Sequence, residues 1–314
     1  MRFRQLGMSG LRVSEVGLGC NNFGGRLEFE PSKEVIVAAF EAGITLFDTA
    51  DIYGGNGASE EIMGEVIKPF RHEIVLATKF GMDMGDRDVA RGSRRYLMRA
   101  LEASLRRLQT DHIDLYQLHQ PDPLTPIEET LAALTDAIHQ GKIRYVGSSN
   151  FAGWQLVEAE LIARTLGTQR FISAQNHYSI VERTIEMELV PAARKYGVGI
   201  LPFYPLASGL LTGKFQRGVA PVSGTRLASR PQQLENAAWD LIEKLDHYAR
   251  DHGMELLDLA FAYLLGESQV SSVIAGATSR AQVERNVATK AHTLTADELS
   301  EVRSLCAAGD TSSA

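Results

Sequence analysis

The chain has 314 residues, enough to bury the core of one large α/β domain or of two smaller domains. Hydrophobic residues make up 44% of it and charged residues 23%, which is the composition of an ordinary globular protein. The formal net charge of −7 argues against a surface built for nucleic acid or for acidic membranes.

The cysteines and the N-terminal residues indicate a cellular compartment. Cys20 and Cys306 lie near opposite ends of the chain and have no spacing typical of a metal site or a disulfide framework. We interpret them as free thiols in a reducing compartment. Residues 1–19 contain no apolar segment of signal-peptide length, and no run of about 18 apolar residues occurs anywhere. These features predict a cytoplasmic protein with no metal, no membrane segment and no nucleic-acid partner.

The first predicted elements form a β-hairpin, with residues 2–6 and 11–15 as short strands around the turn GMSG. Short β-type runs then alternate with segments of helical periodicity. Most of these runs are nearly continuous in apolar residues, as expected for parallel strands covered on both faces. The predicted strands are 15–19, 45–49, 73–79, 112–119, 143–149, 171–175, 198–204 and 271–276.

Residue patterns typical of helix starts occur between the predicted strands. After the fourth strand, Thr125 is predicted to cap a helix, with Pro126 at its first position and Glu128 completing a capping box. In the C-terminal half, residues 205–231 are rich in Gly, Pro, Ser and Arg, a composition that predicts a long loop. Long loops in compact domains tend to be functional.

This alternation predicts an α/β protein, a (β/α)₈ TIM barrel with a short N-terminal β-hairpin. A doubly wound open sheet is the alternative. That fold places a Gly-rich fingerprint after its first strand, and GLGCNNFGG at 17–25 lacks the required spacing. No composition shift marks a linker, so residues 1–314 are predicted to form a single domain.

Polar residues follow the predicted strands, at the end where a barrel builds its active site. Asp48, Tyr53, Lys79 and His119 make a chemical set there. A lysine ammonium lowers the pKa of a neighbouring tyrosine, and an aspartate would hold the lysine in place. A histidine would orient a substrate oxygen or help to relay a proton. Singly, each residue is more typical of a turn, a packed ring or a solvated surface. Together they would protonate an oxygen that gains negative charge, as when a carbonyl accepts a hydride.

Motifs along nearly the whole chain resemble the aldo-keto reductase superfamily, in its bacterial type. They are FDTADIYGGNGASEEIMG (47–64), LATK (76–79), LYQLHQPD (115–122), GKIRYVGSSN (141–150), QNHYS (175–179), PLASGLLTGK (205–214) and VIAGATSRAQVERN (273–286). The resemblance implies a (β/α)₈ barrel that uses NADPH, or less often NADH, to reduce aldehydes and ketones. It implies Tyr53 as general acid, Lys79 as the group that lowers its pKa, Asp48 as partner of Lys79, and His119 as the residue that orients the carbonyl.

The resemblance also implies a set of cofactor-binding residues. For the nicotinamide end they are Ser149, Asn150, Gln175 and Phe203, with Tyr204 where the family commonly has serine, and with Cys20, Asn21 and Asp48 beside them. For the pyrophosphate they are Pro205, Leu206, Gly209, Lys214 and Arg226, and for the adenosine end Gly276, Ser279, Gln282 and Asn286. Cys20 and Asn21 stand where many members have Thr-Trp, which removes a large aromatic from the pocket wall.

The predicted function is the reversible reduction of a small aldehyde or ketone. Lys214, Arg226, Arg280 and Arg285 are expected to supply charge for a 2′-phosphate, which favours NADPH over NADH. The alternative is a cofactor-binding regulatory and redox-sensing subunit of the channel-beta type with little turnover.

Overall fold

Eight parallel strands form a nearly closed barrel in the computed structural model, which describes residues 1–85, 87, 89–221, 224–289 and 292–310. The predicted (β/α)₈ fold is confirmed. An antiparallel hairpin of β1 (Phe3–Gln5) and β2 (Arg12–Ser14) precedes the barrel, as predicted. The barrel strands are β3 (Val16–Gly19), β4 (Leu46–Asp48), β5 (Val75–Phe80), β6 (Ile113–Leu118), β7 (Ile143–Ser149), β8 (Ser173–His177), β9 (Gly199–Phe203) and β10 (Val273–Gly276).

The strands follow one another round the barrel in chain order, with β10 beside β3. The seam between β9 and β10 is closed by the segment before β10. There the Ile200 amide donates to the carbonyl of Gln269 at 2.7 Å, and the Ser271 amide donates to the carbonyl of Ile200 at 3.0 Å. The C-terminal ends of all eight strands therefore face one mouth.

Helices surround this barrel. They are α1 (Phe29–Glu41), the short turn α2 (Tyr53–Asn56), α3 (Ala58–Val66), α4 (Arg94–Leu108), α5 (Ile127–His139), α6 (Gly153–Leu166), α7 (Leu189–Tyr196), α8 (Pro231–Glu235), α9 (Trp239–Asp251), α10 (Leu256–Gly266), α11 (Arg280–Ala288) and α12 (Ala296–Asp310). No helix in the described ranges is long and apolar enough to cross a membrane. The prediction of a single domain stays a prediction.

The inward face changes from apolar to polar along β4 and β5. In β5, Val75, Ala77 and Lys79 have the same parity and share one face, because side chains alternate along a strand. In β4, Leu46 and Asp48 do the same. Leu46, Val75 and Ala77 belong to one apolar cluster inside the barrel. The two ionisable residues come next on the same faces, so the strands deliver them to the mouth.

The N-terminal hairpin plugs the opposite end of the barrel. Leu6 and Val13 are fully buried and pack in the same inner cluster as Leu46 and Leu201. Arg4 anchors the hairpin. Its guanidinium donates to the carbonyl of Val270 at 3.0 Å and to the carbonyl of Leu265 at 2.9 Å. The hairpin thereby covers the end of the barrel opposite the mouth.

The predicted start of α5 is wrong by one residue. The helix begins at Ile127, and Pro126 occupies the N-cap position with an extended ψ of 134°. The Thr125 hydroxyl does not cap the helix, because it donates to the Asp122 carboxylate at 2.6 Å. The same carboxylate accepts from the Gly92 amide at 2.7 Å, so Asp122 organises this turn in place of a capping box.

The predicted long loop contains no strand in its described part. Two short 3₁₀ turns, Ala207–Thr212 and Leu227–Ser229, interrupt it, and α8 begins at Pro231. Residues 222 and 223 of this prediction lie outside the described residues. The loop passes over the mouth of the barrel, where several of its residues line a cavity.

Candidate active site

Lys79 is the centre of a buried ionic cluster at the mouth. Its side chain is fully buried, and Nζ donates to Asp48 Oδ2 at 2.6 Å, to the Thr49 carbonyl at 2.9 Å and to Tyr53 Oη at 3.3 Å. These three acceptors match the three protons of an ammonium group. Burial alone would lower the pKa of Lys79, but the charges and hydrogen bonds of Asp48 and Tyr53 outweigh it and raise the pKa. Lys79 is therefore held as a cation.

Asp48 is fixed by two amides in addition to Lys79. Its Oδ1 accepts from Gln117 Nε2 at 3.1 Å and from Gln175 Nε2 at 2.9 Å. Gln117 was not predicted, although it has the same parity as His119 in LYQLH and so shares the inward face. Gln175 was predicted to hold the nicotinamide amide. In the structure its side-chain nitrogen donates to Asp48. The carboxylate thus has donors on both oxygens, which keeps it oriented toward Lys79.

The loop after β4 places Tyr53 beside Lys79. It turns sharply at Gly54 and Gly55, which have φ of 73° and 77°. A Cβ on Gly54 would lie 2.6 Å from the Phe23 carbonyl oxygen, so only glycine fits this turn. The tyrosine ring lies under the Lys79 ammonium, with Nζ 4.9 Å from its centroid.

The pKa of Tyr53 differs from the sequence-based expectation. Burial raises it above the ordinary value of 10, while the Lys79 ammonium lowers it and Asp48 raises it again. The predicted effect of Lys79 is present, but desolvation of the phenolate exceeds it. Tyr53 therefore keeps its proton at neutral pH and is available as an acid.

His119 faces Tyr53 across the mouth, with ring centroids 5.8 Å apart and nearly perpendicular. Burial, and then the Lys79 charge, lower the pKa of His119 to about 3. Its Nδ1 is buried and has no hydrogen-bond partner among the described residues. The imidazole is neutral, so it can position an oxygen but does not act as a cation.

We expect the imidazole of His119 to stay neutral at every pH above about 4, because its pKa is lowered to about 3. Histidines of the unfolded chain titrate near pH 6.5 and take up protons first, so this residue contributes stability that is lost as pH falls below about 6.5. The measurement is ¹⁵N NMR of the ring, with the signal assigned through His119→Asn. A His119 signal that titrates near pH 6.5 in the folded protein would contradict the assignment.

A cavity of about 540 Å³ extends from Tyr53 and His119 across the strand ends to α11. The predicted cofactor-binding residues that line it are Cys20, Asn21, Asp48, Ser149, Asn150, Gln175, Phe203, Tyr204, Pro205, Leu206, Gly209, Lys214, Arg226, Gly276, Gln282 and Asn286. Ser279 does not line it; its hydroxyl caps α11 by accepting from the Gln282 amide at 3.3 Å. The lining also includes Asn22, Arg26, Ile52, Met82 and Glu255, which sequence reasoning missed.

Four cationic side chains line this cavity, and three of them, Arg26, Lys214 and Arg226, form no salt bridge with a described carboxylate. Burial, and then the Arg26 charge, lower the pKa of Lys214. Burial is also the largest cause that lowers the pKa of Arg226, whose guanidinium lies 5.4 Å from the Tyr204 ring and donates to Asn22 Oδ1 at 3.1 Å. No carboxylate of the described residues forms a salt bridge with any of the three. The Arg26 charge contributes to the lowered pKa of both Lys214 and Arg226, and a group of cations without a counter-charge suits a phosphate-bearing ligand.

Two predicted basic residues are already neutralised. Arg280 pairs with Glu41 at 2.8 Å and does not line the cavity. Arg285 lines it but pairs with Asp258 at 3.1 Å and with Glu255. The expectation that both supply charge to a 2′-phosphate is therefore not supported, because carboxylates far away in sequence take up that charge.

Comparisons with known proteins agree with this geometry. Residues 15–307 match the family model described as Aldo/keto reductase family. The chain is 39% identical to an uncharacterized oxidoreductase, YrpG, of Bacillus subtilis, over 88% of this chain and 87% of that protein. It is 35% identical to a probable voltage-gated potassium channel subunit beta of rice (Oryza sativa subsp. japonica), over 91% and 90%. It is 33% identical to an L-glyceraldehyde 3-phosphate reductase of Escherichia coli K12, over 91% and 87%.

Proposed function

The chain belongs to the aldo/keto reductase family and is an oxidoreductase, and we propose that it reversibly transfers a hydride from NADPH to the carbonyl carbon of a small aldehyde or ketone. The observation that carries the proposal is the hydrogen-bonded series Tyr53–Lys79–Asp48 at the edge of the cavity. A reaction that places negative charge on an oxygen needs a proton donor and a fixed cation beside it, and this series supplies both.

Each residue of the series has one task in this mechanism. Tyr53 donates its phenolic proton to the carbonyl oxygen as charge develops there. Lys79 stabilises the phenolate that remains, and Asp48 holds Lys79 in place and balances its charge. The neutral imidazole of His119 positions the carbonyl oxygen. The nicotinamide, when bound, supplies the hydride, so the electron chemistry belongs to the cofactor.

NADPH is favoured over NADH by the number of uncompensated cations. The pyrophosphate of a dinucleotide carries two negative charges, while Arg26, Lys214 and Arg226 provide three positive ones. The third charge is available for a further phosphate. Both the pyrophosphate and a 2′-phosphate would gain charge-assisted hydrogen bonds there.

A regulatory, cofactor-binding role is the second candidate, favoured by the similarity to the rice potassium channel subunit beta. The two roles differ in turnover. A steady-state assay of NADPH oxidation with a panel of reactive aldehydes, ketones and sugars decides between them. The reductase proposal fails if the wild-type protein is no faster than Tyr53→Phe with every compound.

We expect Lys214→Ala and Arg226→Ala each to weaken NADPH binding by about 10- to 100-fold, because a charge-assisted hydrogen bond contributes about 1.5–3 kcal/mol. Arg280→Ala is the matched control, since Arg280 is paired with Glu41 outside the cavity, and it should leave the Kd unchanged. Fluorescence titration with NADPH and with NADH gives the affinities. Equal losses in all three variants, or tighter binding of NADH than of NADPH, would refute the cofactor assignment.

A further inference from the structure

A buried carboxyl group, Asp51, lies behind the catalytic cluster and has no part in the mechanism above. The residue is 1% exposed, and its Oδ1 has no hydrogen-bond partner among the described residues. Its backbone amide donates to the carbonyl of Lys79 at 3.1 Å, which fixes Asp51 against the strand that carries the catalytic lysine. A buried, incompletely bonded carboxyl group costs stability and needs an explanation.

The cations around Asp51 already have carboxylate partners. Lys79 is paired with Asp48 at 2.6 Å. Arg107 is paired with Glu60, which is fully buried, at 2.7 Å. Two carboxylates, Asp48 and Glu60, already balance the two cations, so Asp51 is a third carboxyl group without a cation of its own. If it were ionised, it would add an uncompensated negative charge to a dry interior.

The titratable groups that face Asp51 come from four elements: Glu60 of α3, Lys79 of β5, Arg107 of α4 and Tyr116 of β6. Burial, and then the Glu60 charge, raise the pKa of Asp51 to about 7, although Arg107 and Lys79 act in the opposite direction. The Tyr116 hydroxyl is buried and lacks a hydrogen-bond partner among the described residues. Burial, and then Asp51, raise the pKa of this phenol, so it remains neutral.

We propose that Asp51 is a positioning residue that holds a proton in the folded enzyme, and that loss of this proton weakens the effect of Lys79 on Tyr53. An anionic Asp51 would offset part of the ammonium charge that stabilises the Tyr53 phenolate. Carbonyl reduction would then slow down as Asp51 ionises. The inference rests on the proposed function, because it acts through the proton that Tyr53 donates.

The test is the ratio of reduction rates, Asp51→Asn over wild type, between about pH 5 and about pH 9. Asparagine is neutral at every pH, so both enzymes carry the same charge at the acidic end and should have similar rates. As wild-type Asp51 ionises, the ratio should rise about three- to tenfold, with its midpoint near neutral pH. Asp114→Asn is the control, because Asp114 is also buried but pairs with Arg71 at the other end of β6, and its ratio should not change with pH.

A second measurement follows the proton directly in the wild-type enzyme. Infrared spectra of protein with ¹³C-labelled aspartate should show a protonated carboxylic acid below neutral pH that disappears above it. A pH-independent rate ratio in a folded Asp51→Asn variant would overturn the inference, and so would the absence of that infrared band. Failure of the proposed function is a separate result, since Tyr53→Phe would then be as active as wild type. If Asp51→Asn does not fold, the infrared titration of the wild type decides alone.

Discussion

Replacing Tyr53 with phenylalanine should lower kcat for carbonyl reduction by about 10²- to 10⁴-fold, the usual contribution of a positioned general acid. The ring, its edge contact with His119 and the turn at Gly54 would all remain. The only group removed is the hydroxyl that accepts from Lys79 and keeps its proton at neutral pH. Stopped-flow kinetics with NADPH in excess would measure the chemical step.

The control for this variant is its cofactor affinity. Phenylalanine preserves the shape of the cavity, so the Kd for NADPH should change by less than about threefold. A loss of activity explained by a loss of NADPH binding would contradict the role of Tyr53 as an acid. Retained reduction at the wild-type rate would show that another group donates the proton.

Replacing Lys79 with methionine should also lower kcat by at least about 10²-fold, with little change in the Kd for NADPH. Lys79 is fully buried and does not line the cavity, so it acts on Tyr53 and not on the nucleotide. Without its ammonium, the Tyr53 phenolate loses the one cation within hydrogen-bond reach among the described residues. Parallel kinetics and fluorescence titration separate the two effects.

The same substitution should destabilise the fold, since it leaves Asp48 buried without a counter-charge. The expected cost is about 3–5 kcal/mol in the free energy of unfolding. The double variant Lys79→Met with Asp48→Asn should recover much of that stability without recovering activity. If activity returned with stability, Lys79 would be a structural residue. A large loss of NADPH affinity at unchanged kcat would place it in nucleotide binding instead.

The positions of the catalytic residues follow from the sequence for a physical reason. Asp48 ends β4, Lys79 lies one residue before the end of β5, and both have the parity of inward residues, so the barrel geometry brings them together. Gln117 pairs with Lys79 in the register of β5 and β6 and obeys the same parity rule, but the predicted strand 112–119 extends past it and ends at His119. Asp51 lies in the turn after β4, and only its burial and the already paired cations near it distinguish its environment from that of an ordinary turn residue.

The charges at the far end of the cavity were harder to predict. Arg280 and Arg285 have the residue type and position expected for a phosphate site. Their partners are Glu41 and Asp258, which are distant in sequence, and nothing in the local pattern indicates these pairs. Arg26 was missed because it lies several residues beyond the end of β3 and outside the motifs that carry the family resemblance. Ion pairs between distant segments depend on side-chain conformations, and hydrophobic periodicity does not encode them.

The hairpin that plugs the barrel also constrains how the chain acquires its structure. Arg4 is bonded to a carbonyl 266 residues further along, and β3 pairs with β10 from the opposite end of the sequence. These contacts of Arg4 and of β3 form only after the segment that contains residues 265–276 has been made. Such distant contacts carry a loop-closure cost that slows folding. We therefore expect barrel closure and docking of the hairpin to be late steps in folding.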